Sequence, residues 1–423
     1  MSDINPVISQ LVRGTTHCVQ CGLCLPHCPT YAFYQDENES PRGRLLLMRL
    51  LATTTLDQPR ARQHLSRCLH CSACESACPA GVKYRYLLDQ TLFLQEQHRP
   101  TVTASLAWRV GAGLLTKPQW LRWAGWSLRF YQRAKLPILM RRSGLQKILK
   151  LSSIEQGLPQ IPAIQHWAGH YPAVTEYRGQ VLLFLGCVAQ IFDQQTLRDA
   201  IFLLGQAGFA VTVPKQQNCC GALHFHHGDQ STGCRVAKQN IRAFTDHESA
   251  PILTTSSGCT AMLLDYGQQL STTASQAFSA RITDISDFLA REGKFTAQRF
   301  ISTALKVAVH DPCTLRNVVG RACTPYQLLA GLPGVELVAI DHNAVCCGAA
   351  GIQHLTHPQL ATGLRQPKLA AIDRIKPDVV VTSNIGCALH LAAGLRSAAA
   401  PIPLLHPISV LRSRLKPGSN PAA

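Results

Sequence analysis

The sequence predicts an α + α/β chain: a helical, cysteine-rich N-terminal domain followed by two copies of one α/β module. Three observations predict it. The string C-x2-C-x2-C-x3-C-P occurs twice, as CVQCGLCLPHCP from Cys18 and as CLHCSACESACP from Cys68. From Gln180 onward short apolar strands alternate with helical stretches, the pattern of parallel sheets covered on both faces. Four cysteines of that region also recur in register. Cys187, Cys219, Cys220 and Cys259 map onto Cys313, Cys346, Cys347 and Cys387 at offsets of 126, 127, 127 and 128 residues. An internal duplication explains all four.

In the N-terminal domain the spacing itself carries the chemistry. Three thiolates two residues apart wrap one iron–sulfur cube from a single loop, and the fourth, followed by Pro, often crosses to the neighbouring cube in two-cluster ferredoxins. By that rule Cys18, Cys21, Cys24 and Cys78 hold one [4Fe–4S] cluster, and Cys68, Cys71, Cys74 and Cys28 hold the other. Zinc fits less well, because a tetrahedral site takes two CxxC pairs and has no use for a third close thiolate or the trailing Pro. Gly22 gives the first loop room to turn. Between the loops, Ser40 as N-cap and Pro41 at the first helical position start a helix over 40–52. Its expected apolar stripe is Leu45, Leu46, Met48, Leu50 and Leu51, with Arg44 and Arg49 outside it. A second helix is expected over 84–96.

The segment 97–154 contains no Asp or Glu and eleven Lys or Arg, which is most of the net charge of +17. Trp108, Trp120, Trp123 and Trp126 fall there too, with Phe130 and Tyr131. Basic residues interleaved with Trp on short helices suit a membrane headgroup layer or a docking partner. A basic connector packed on its own domains is the bland reading. Nucleic acid is the weakest, since no RNA-binding signature accompanies the aromatics. Pro159, Pro162 and Pro172 mark a linker. The boundaries expected are 1–98 for the helical ferredoxin-type domain, 99–175 for the connector, 176–300 for the first module and 301–423 for the second.

At 423 residues, 46% of them hydrophobic, the chain can bury real cores, and no run of 18 apolar residues offers a bilayer span. The N-terminus lacks a basic n-region leading into an apolar stretch, so no secretory signal is expected. Eighteen cysteines in a reducing cytoplasm read as metal ligands rather than disulfides. In each module the cysteines sit at the carboxyl ends of strands, where open α/β sheets put their ligands. Gly221 and Gly348 follow the Cys pairs and let the backbone pass close to a bulky cofactor. Cys234 and Cys323 lack counterparts and read as ordinary buried cysteines. His224, His226 and His227 are candidates to ligate metal or move protons, although three histidines on a polar loop are more often solvated.

The C…CCG…C pattern, carried twice, resembles the cysteine-rich CCG domains of heterodisulfide-reductase-type subunits. The long helical insertion between Cys28 and Cys68 resembles the α-helical ferredoxin of quinone-linked dehydrogenases. Together with SPRGRLLLMRL, CCGALHFH, SSGCTAMLLDYG, HDPCTL, VCCGAAG, LTHPQLA and TSNIGCALHLAAG, the chain resembles over nearly its whole length the glycolate oxidase (glycolate dehydrogenase) iron–sulfur subunit family. In heterodisulfide reductases the last cysteine of each module belongs to a CxxC pair. Here Ser256 and Asn384 take the partner positions, leaving four of five thiolates per module. Four suffice for an ordinary [4Fe–4S] cluster, and a cluster of another type, or none, stays open. The same loss in both copies argues against disulfide cleavage.

The resemblance implies an electron-transfer subunit with no catalytic residues of its own. FAD-binding partner subunits would oxidise glycolate to glyoxylate, and electrons would pass through this chain towards quinone. No G-x-G-x-x-G follows a strand, so no flavin or nicotinamide is expected in this chain. The implied location is peripheral, on the cytoplasmic face of the inner membrane, with no nucleic acid bound. The alternatives are an equivalent subunit of a glycerol-3-phosphate or lactate dehydrogenase, or a cluster-based nucleic-acid-binding sensor.

Overall fold

The computed structural model describes residues 4–53, 59–98, 100, 102, 103, 105–136, 140, 158–247, 249–396 and 401–416. Of the basic segment, Arg99, Arg141, Arg142, Lys147 and Lys150 lie outside the described residues. The N-terminal domain packs α1 (Ile4–Thr16), α3 (Pro41–Thr53) and α6 (Tyr84–His98) around Leu11, Leu45, Met48, Leu65, Leu88 and Leu94. Short helices α2 (Pro29–Tyr34), α4 (Pro59–Ser66) and α5 (Ala73–Ser76) flank the cysteine loops. Ser40 caps α3 as its sequence suggests, its Oγ accepting from the Gly43 N–H at 2.9 Å.

The stripe on α3 needs correcting. Leu46 and Leu50 are exposed, whereas Arg44 is only 1% exposed. Its guanidinium pairs with the equally buried Glu39 at 2.6 Å and donates to Thr30 Oγ1 and the His64 carbonyl, both at 2.8 Å. Arg67 and His64 complete the shell around the Glu39 carboxylate at 2.6 and 2.7 Å. A guanidinium can be buried only where its donors and charge are matched. Its partners come from a preceding turn and from α4 and beyond, which the periodicity of α3 does not reveal.

Helices α7 (Leu106–Leu115) and α8 (Pro118–Arg133) follow. Leu121 and Gly125 of α8 are buried, and Gly125 lies against Ile164 and Ile191 of the first module. A Cβ at Gly125 would come within 2.9 Å of the Ile191 Cδ1, so a larger residue here would push that side-chain end aside. The opposite face is bare: Trp120, Trp123, Trp126 and Phe130 are 62–70% exposed. Trp108 on α7 is buried instead.

Two sheets follow. The first has the order β1-β3-β2-β4-β5, from β1 (Gly169–Tyr171), β2 (Gly179–Phe184), β3 (Phe209–Val213), β4 (Ile252–Thr254) and β5 (Ile282–Asp284). All pairs are parallel except β1 with β3. β1 falls in the stretch read as connector, yet it pairs with β3, so this sheet begins seven residues before position 176. The second sheet is wholly parallel, in the order β7-β6-β8-β9, from β6 (Leu305–Val309), β7 (Val335–Ala339), β8 (Val379–Val381) and β9 (Leu404–Leu405).

The modules are fused rather than strung together. One apolar core runs from Val181, Leu183 and Val211 of the first through Ile285 and Phe288 to Val307, Val309 and Val381 of the second. The C-terminal helix Pro407–Arg414 adds Ile408, Val410 and Leu411 to it. Burying such apolar side chains contributes on the order of 1.5–3 kcal/mol each, so the shared core ties the stability of the two modules together.

Candidate metal centres

Each N-terminal cysteine loop is wound by alternating left-handed residues. Gln20 and Gly22 have φ of +60° and +81°, and His70 and Ser72, at the same places in the second string, have +47° and +57°. Such alternation turns successive amide N–H groups inward and makes an anion-binding concavity of the kind that receives iron–sulfur clusters. Ser72 holds this conformation without glycine's freedom, a cost of order 1–3 kcal/mol that the loop tolerates. The donor set and the backbone cradle both fit a cluster.

The loops exchange their fourth cysteines. One cavity is lined by Cys28 with Cys68, Cys71 and Cys74. The other is lined by Cys18, Cys21, Cys24 and Cys78, with Cys74 on the wall between them. Burial raises the pKa of Cys68, Cys71 and Cys74, so these groups would become thiolates on binding a cation.

In the modules the equivalent cysteines converge at the strand ends. Cys187, Cys219 and Cys220 pack in one cluster with Cys259 against it. In the second module Cys313 Sγ lies 3.8 Å from Cys346 Sγ, and Cys347 Sγ lies 3.1 Å from Cys387 Sγ. Gly221 and Gly348 both take left-handed φ and direct their N–H onto the sulfur of Cys219 and Cys346, each at 3.4 Å. The pKa of Cys219 lies well below that of an ordinary thiol, held there by hydrogen bonds from Cys187 and Cys220. The thiols of Cys313, Cys346 and Cys347 are raised.

Two side chains that sequence reasoning passes over, His310 and Lys368, lie beside the second set, and Asn384 adjoins it. His310 is 1% exposed, and one of its ring nitrogens lies within 4.8 Å of the sulfurs of Cys347 and Cys387. Burial, with Lys368 and Arg316 nearby, holds its imidazole well below the usual pKa. Lys368, also 1% exposed, donates to the His342 carbonyl at 3.0 Å beside the four thiols. Asn384, standing where a fifth cysteine would, is committed elsewhere. Its Oδ1 accepts from Gly386 N–H at 2.9 Å, and its Nδ2 donates to Ser257 Oγ across the module boundary at 3.1 Å and to Thr314 Oγ1 of its own module at 3.2 Å.

The N-terminal domain sits across both modules. Leu69 packs with Cys346 and Leu360, and Cys71 and Cys313 border the same cluster. Gln353 donates to the carbonyls of Ser66 and Cys68 at 2.7 and 3.2 Å, and Asn317 donates to that of Cys71 at 2.8 Å. On the other side Arg85 pairs with Asp265 at 2.7 Å. Here too the histidine loop is found, and it is not solvated as expected. His224 meets Asp229 at 2.9 Å, His227 meets the Leu223 carbonyl at 2.8 Å, and His226 meets Asp89 of α6 at 3.0 Å. His70 reaches the same Asp89 oxygen at 3.2 Å and stacks on His226. Through His226 the loop makes a polar contact between domains. Cys234 is half-buried and Cys323 exposed, so the expectation of buried cysteines fails at Cys323, which sits in the turn before the helix Thr324–Leu329.

A ferredoxin-type domain joined to paired cysteine-rich modules defines an iron–sulfur electron-transfer subunit of an oxidoreductase complex. Comparison with known proteins agrees. The family model for a 4Fe-4S dicluster domain matches residues 14–82, that for a cysteine-rich domain matches 181–264 and 307–392, and that for the linker region of the glycolate oxidase iron-sulfur subunit matches 107–158. The chain is 32% identical over 394 residues to a probable glycolate oxidase iron-sulfur subunit of Bacillus subtilis, covering 90% of this chain and 88% of that one. It is 30% identical over 406 residues to the glycolate oxidase iron-sulfur subunit of Escherichia coli, covering 90% of each. Lactate utilization protein A of Halalkalibacterium halodurans is 25% identical over 237 residues, 55% of this chain and 96% of that one. The chain belongs to the glycolate oxidase iron–sulfur subunit family.

Proposed function

We propose that the chain carries electrons from an FAD-binding partner that oxidises glycolate to glyoxylate towards membrane quinone. One observation carries this reading: three of the four cysteine sets adjoin one another in turn, from the first loop through the second to the second module. Cys74 lines both N-terminal cavities, and Cys71 adjoins Cys313 and Cys346. The sets Cys18, Cys21, Cys24, Cys78 and Cys28, Cys68, Cys71, Cys74 would each hold a [4Fe–4S] cluster. Cys187, Cys219, Cys220, Cys259 and Cys313, Cys346, Cys347, Cys387 would hold further iron–sulfur centres. Such centres, when bound, supply one-electron redox chemistry. The chain supplies the thiolates, the N–H donors of Gly221 and Gly348 that stabilise charge on sulfur, and apolar walls that keep water away.

No helix among the described residues is long and apolar enough to cross a membrane. The bare aromatic face of α8, flanked by Arg122, Arg129 and Arg133, supports peripheral docking on an anionic leaflet. The test is an anaerobic pull-down of the tagged chain from its native cells, followed by addition of glycolate. Bleaching of the cluster absorbance with a flavoprotein in the eluate is the expected result. Bleaching with lactate or glycerol 3-phosphate alone would move the substrate, and an eluate without flavoprotein would overturn the reading.

A further inference from the structure

We propose that His310 is a metal ligand, a nitrogen donor to the centre held by the second cysteine-rich module. The inference rests on the reading that this module binds an iron–sulfur centre, and adds a donor outside the cysteine pattern. His310 directly follows β6, and its N–H donates to the Val381 carbonyl at 2.9 Å, which fixes its backbone at the strand end beside Cys313. Its Nδ1 lies 2.9 Å from Thr382 Oγ1. Its Nε2 is buried without a hydrogen-bond partner, while the ring lies against the sulfurs of Cys347 and Cys387. Engagement of one ring nitrogen by a neighbouring oxygen, with the other directed at the metal, is how ligating histidines are oriented. Left without a metal, a buried ring nitrogen with no partner is unfavourable.

The duplication supplies an internal control. The first-module position equivalent to His310, three residues before the leading cysteine, is Phe184. Phe184 is buried in the core with Cys187, Cys219 and Cys220. An apolar ring therefore fills this place in the fold without penalty, and packing does not demand an imidazole in the second copy. Lys368 follows the same asymmetry, its counterpart at an offset of 127 being the apolar Ile241. The two modules thus differ at these two places: the first has the Phe184 ring and Ile241, and the second has an imidazole and a buried ammonium. A neutral nitrogen donor and a buried ammonium both make the surroundings of a cluster less negative, which raises its potential, so putting a thiolate in place of the imidazole should lower that of the second centre.

The test uses the full chain prepared anaerobically with 57Fe, with [15N]histidine or natural histidine, as wild type, as Cys346→Ser/Cys347→Ser and as His310→Cys. The double serine variant is expected to bind less iron per chain than wild type. Equal iron would overturn the reading that the second module holds a centre. His310→Cys is expected to keep the wild-type iron content, lose a histidine-nitrogen coupling in pulsed EPR, and shift one centre to lower potential. A centre silent in EPR is read by Mössbauer spectroscopy, where one iron subsite per chain should change between wild type and His310→Cys. Iron loss in the double serine variant, with spectra and potentials unchanged in His310→Cys, would refute His310 as ligand and leave the module's centre standing.

Discussion

Replacing Trp123 and Trp126 by alanine removes two rings from the bare face of α8, which are 70% and 62% exposed. An aromatic side chain buries roughly 150–250 Å² in all. With about two-thirds of each ring free, insertion into a headgroup layer removes on the order of 100 Å² more per Trp. At ~25 cal/mol per Å² that is about 2.5 kcal/mol for each ring fully inserted, and half that for a ring half immersed. The pair therefore contributes between about 2.5 and 5 kcal/mol. At 1.4 kcal/mol per decade, vesicle partitioning should fall by roughly 50-fold to several thousand-fold. The assay is anaerobic cosedimentation with phosphatidylglycerol-containing vesicles at low and high salt. Replacing Arg122 and Arg129 should weaken binding by about 1 kcal/mol each, at low salt only. Partitioning of the tryptophan variant within threefold of wild type would refute the docking face.

Arg44→Met leaves the Glu39 carboxylate buried with only Arg67 and His64, and should cost about 3 kcal/mol, the low end for breaking a buried pair. A urea midpoint read from cluster absorbance checks this, and adding Glu39→Gln should recover part of the loss. Cys28→Ser should disturb the cluster of the second loop and leave that of its own loop intact, which the EPR spectra of the reduced protein distinguish. Asp284 has its carboxyl pushed up to about 7 by burial, from an ordinary value of 3.8. Above that ordinary value the unfolded chain releases a proton the native chain keeps, so this group's stabilisation falls as pH rises towards 7. Asp284→Asn should flatten the decline in thermal midpoint between pH 5 and 8; an unchanged slope would assign it to other groups.

The parts of this fold that follow a local period were readable in the sequence. The strands at Phe209–Val213 and Val335–Ala339 and the cap at Ser40 need only neighbours in the chain to specify them. The misreadings share one cause. Arg44 looked like a solvated charge because its partners Glu39, His64 and Arg67 come from outside its helix. The histidine loop looked solvated because Asp89 and Trp108, which bury it, are more than a hundred residues away. His310 was passed over because a motif read for cysteines gives no weight to the residue three places earlier. The duplication held the missing signal, since aligning the two copies sets His310 against Phe184.

The seam between the N-terminal domain and the second module bears on how the protein matures. Leu69 packs on Cys346, with Cys71 and Cys313 at the edge of the same cluster, and Cys346, Cys347 and Cys387 are almost wholly enclosed. Any centre held among these cysteines would lie beneath the second cysteine loop, so iron would have to reach it while that loop stands away from the module. A chain that docked the loop first would be sealed against its deepest cofactor.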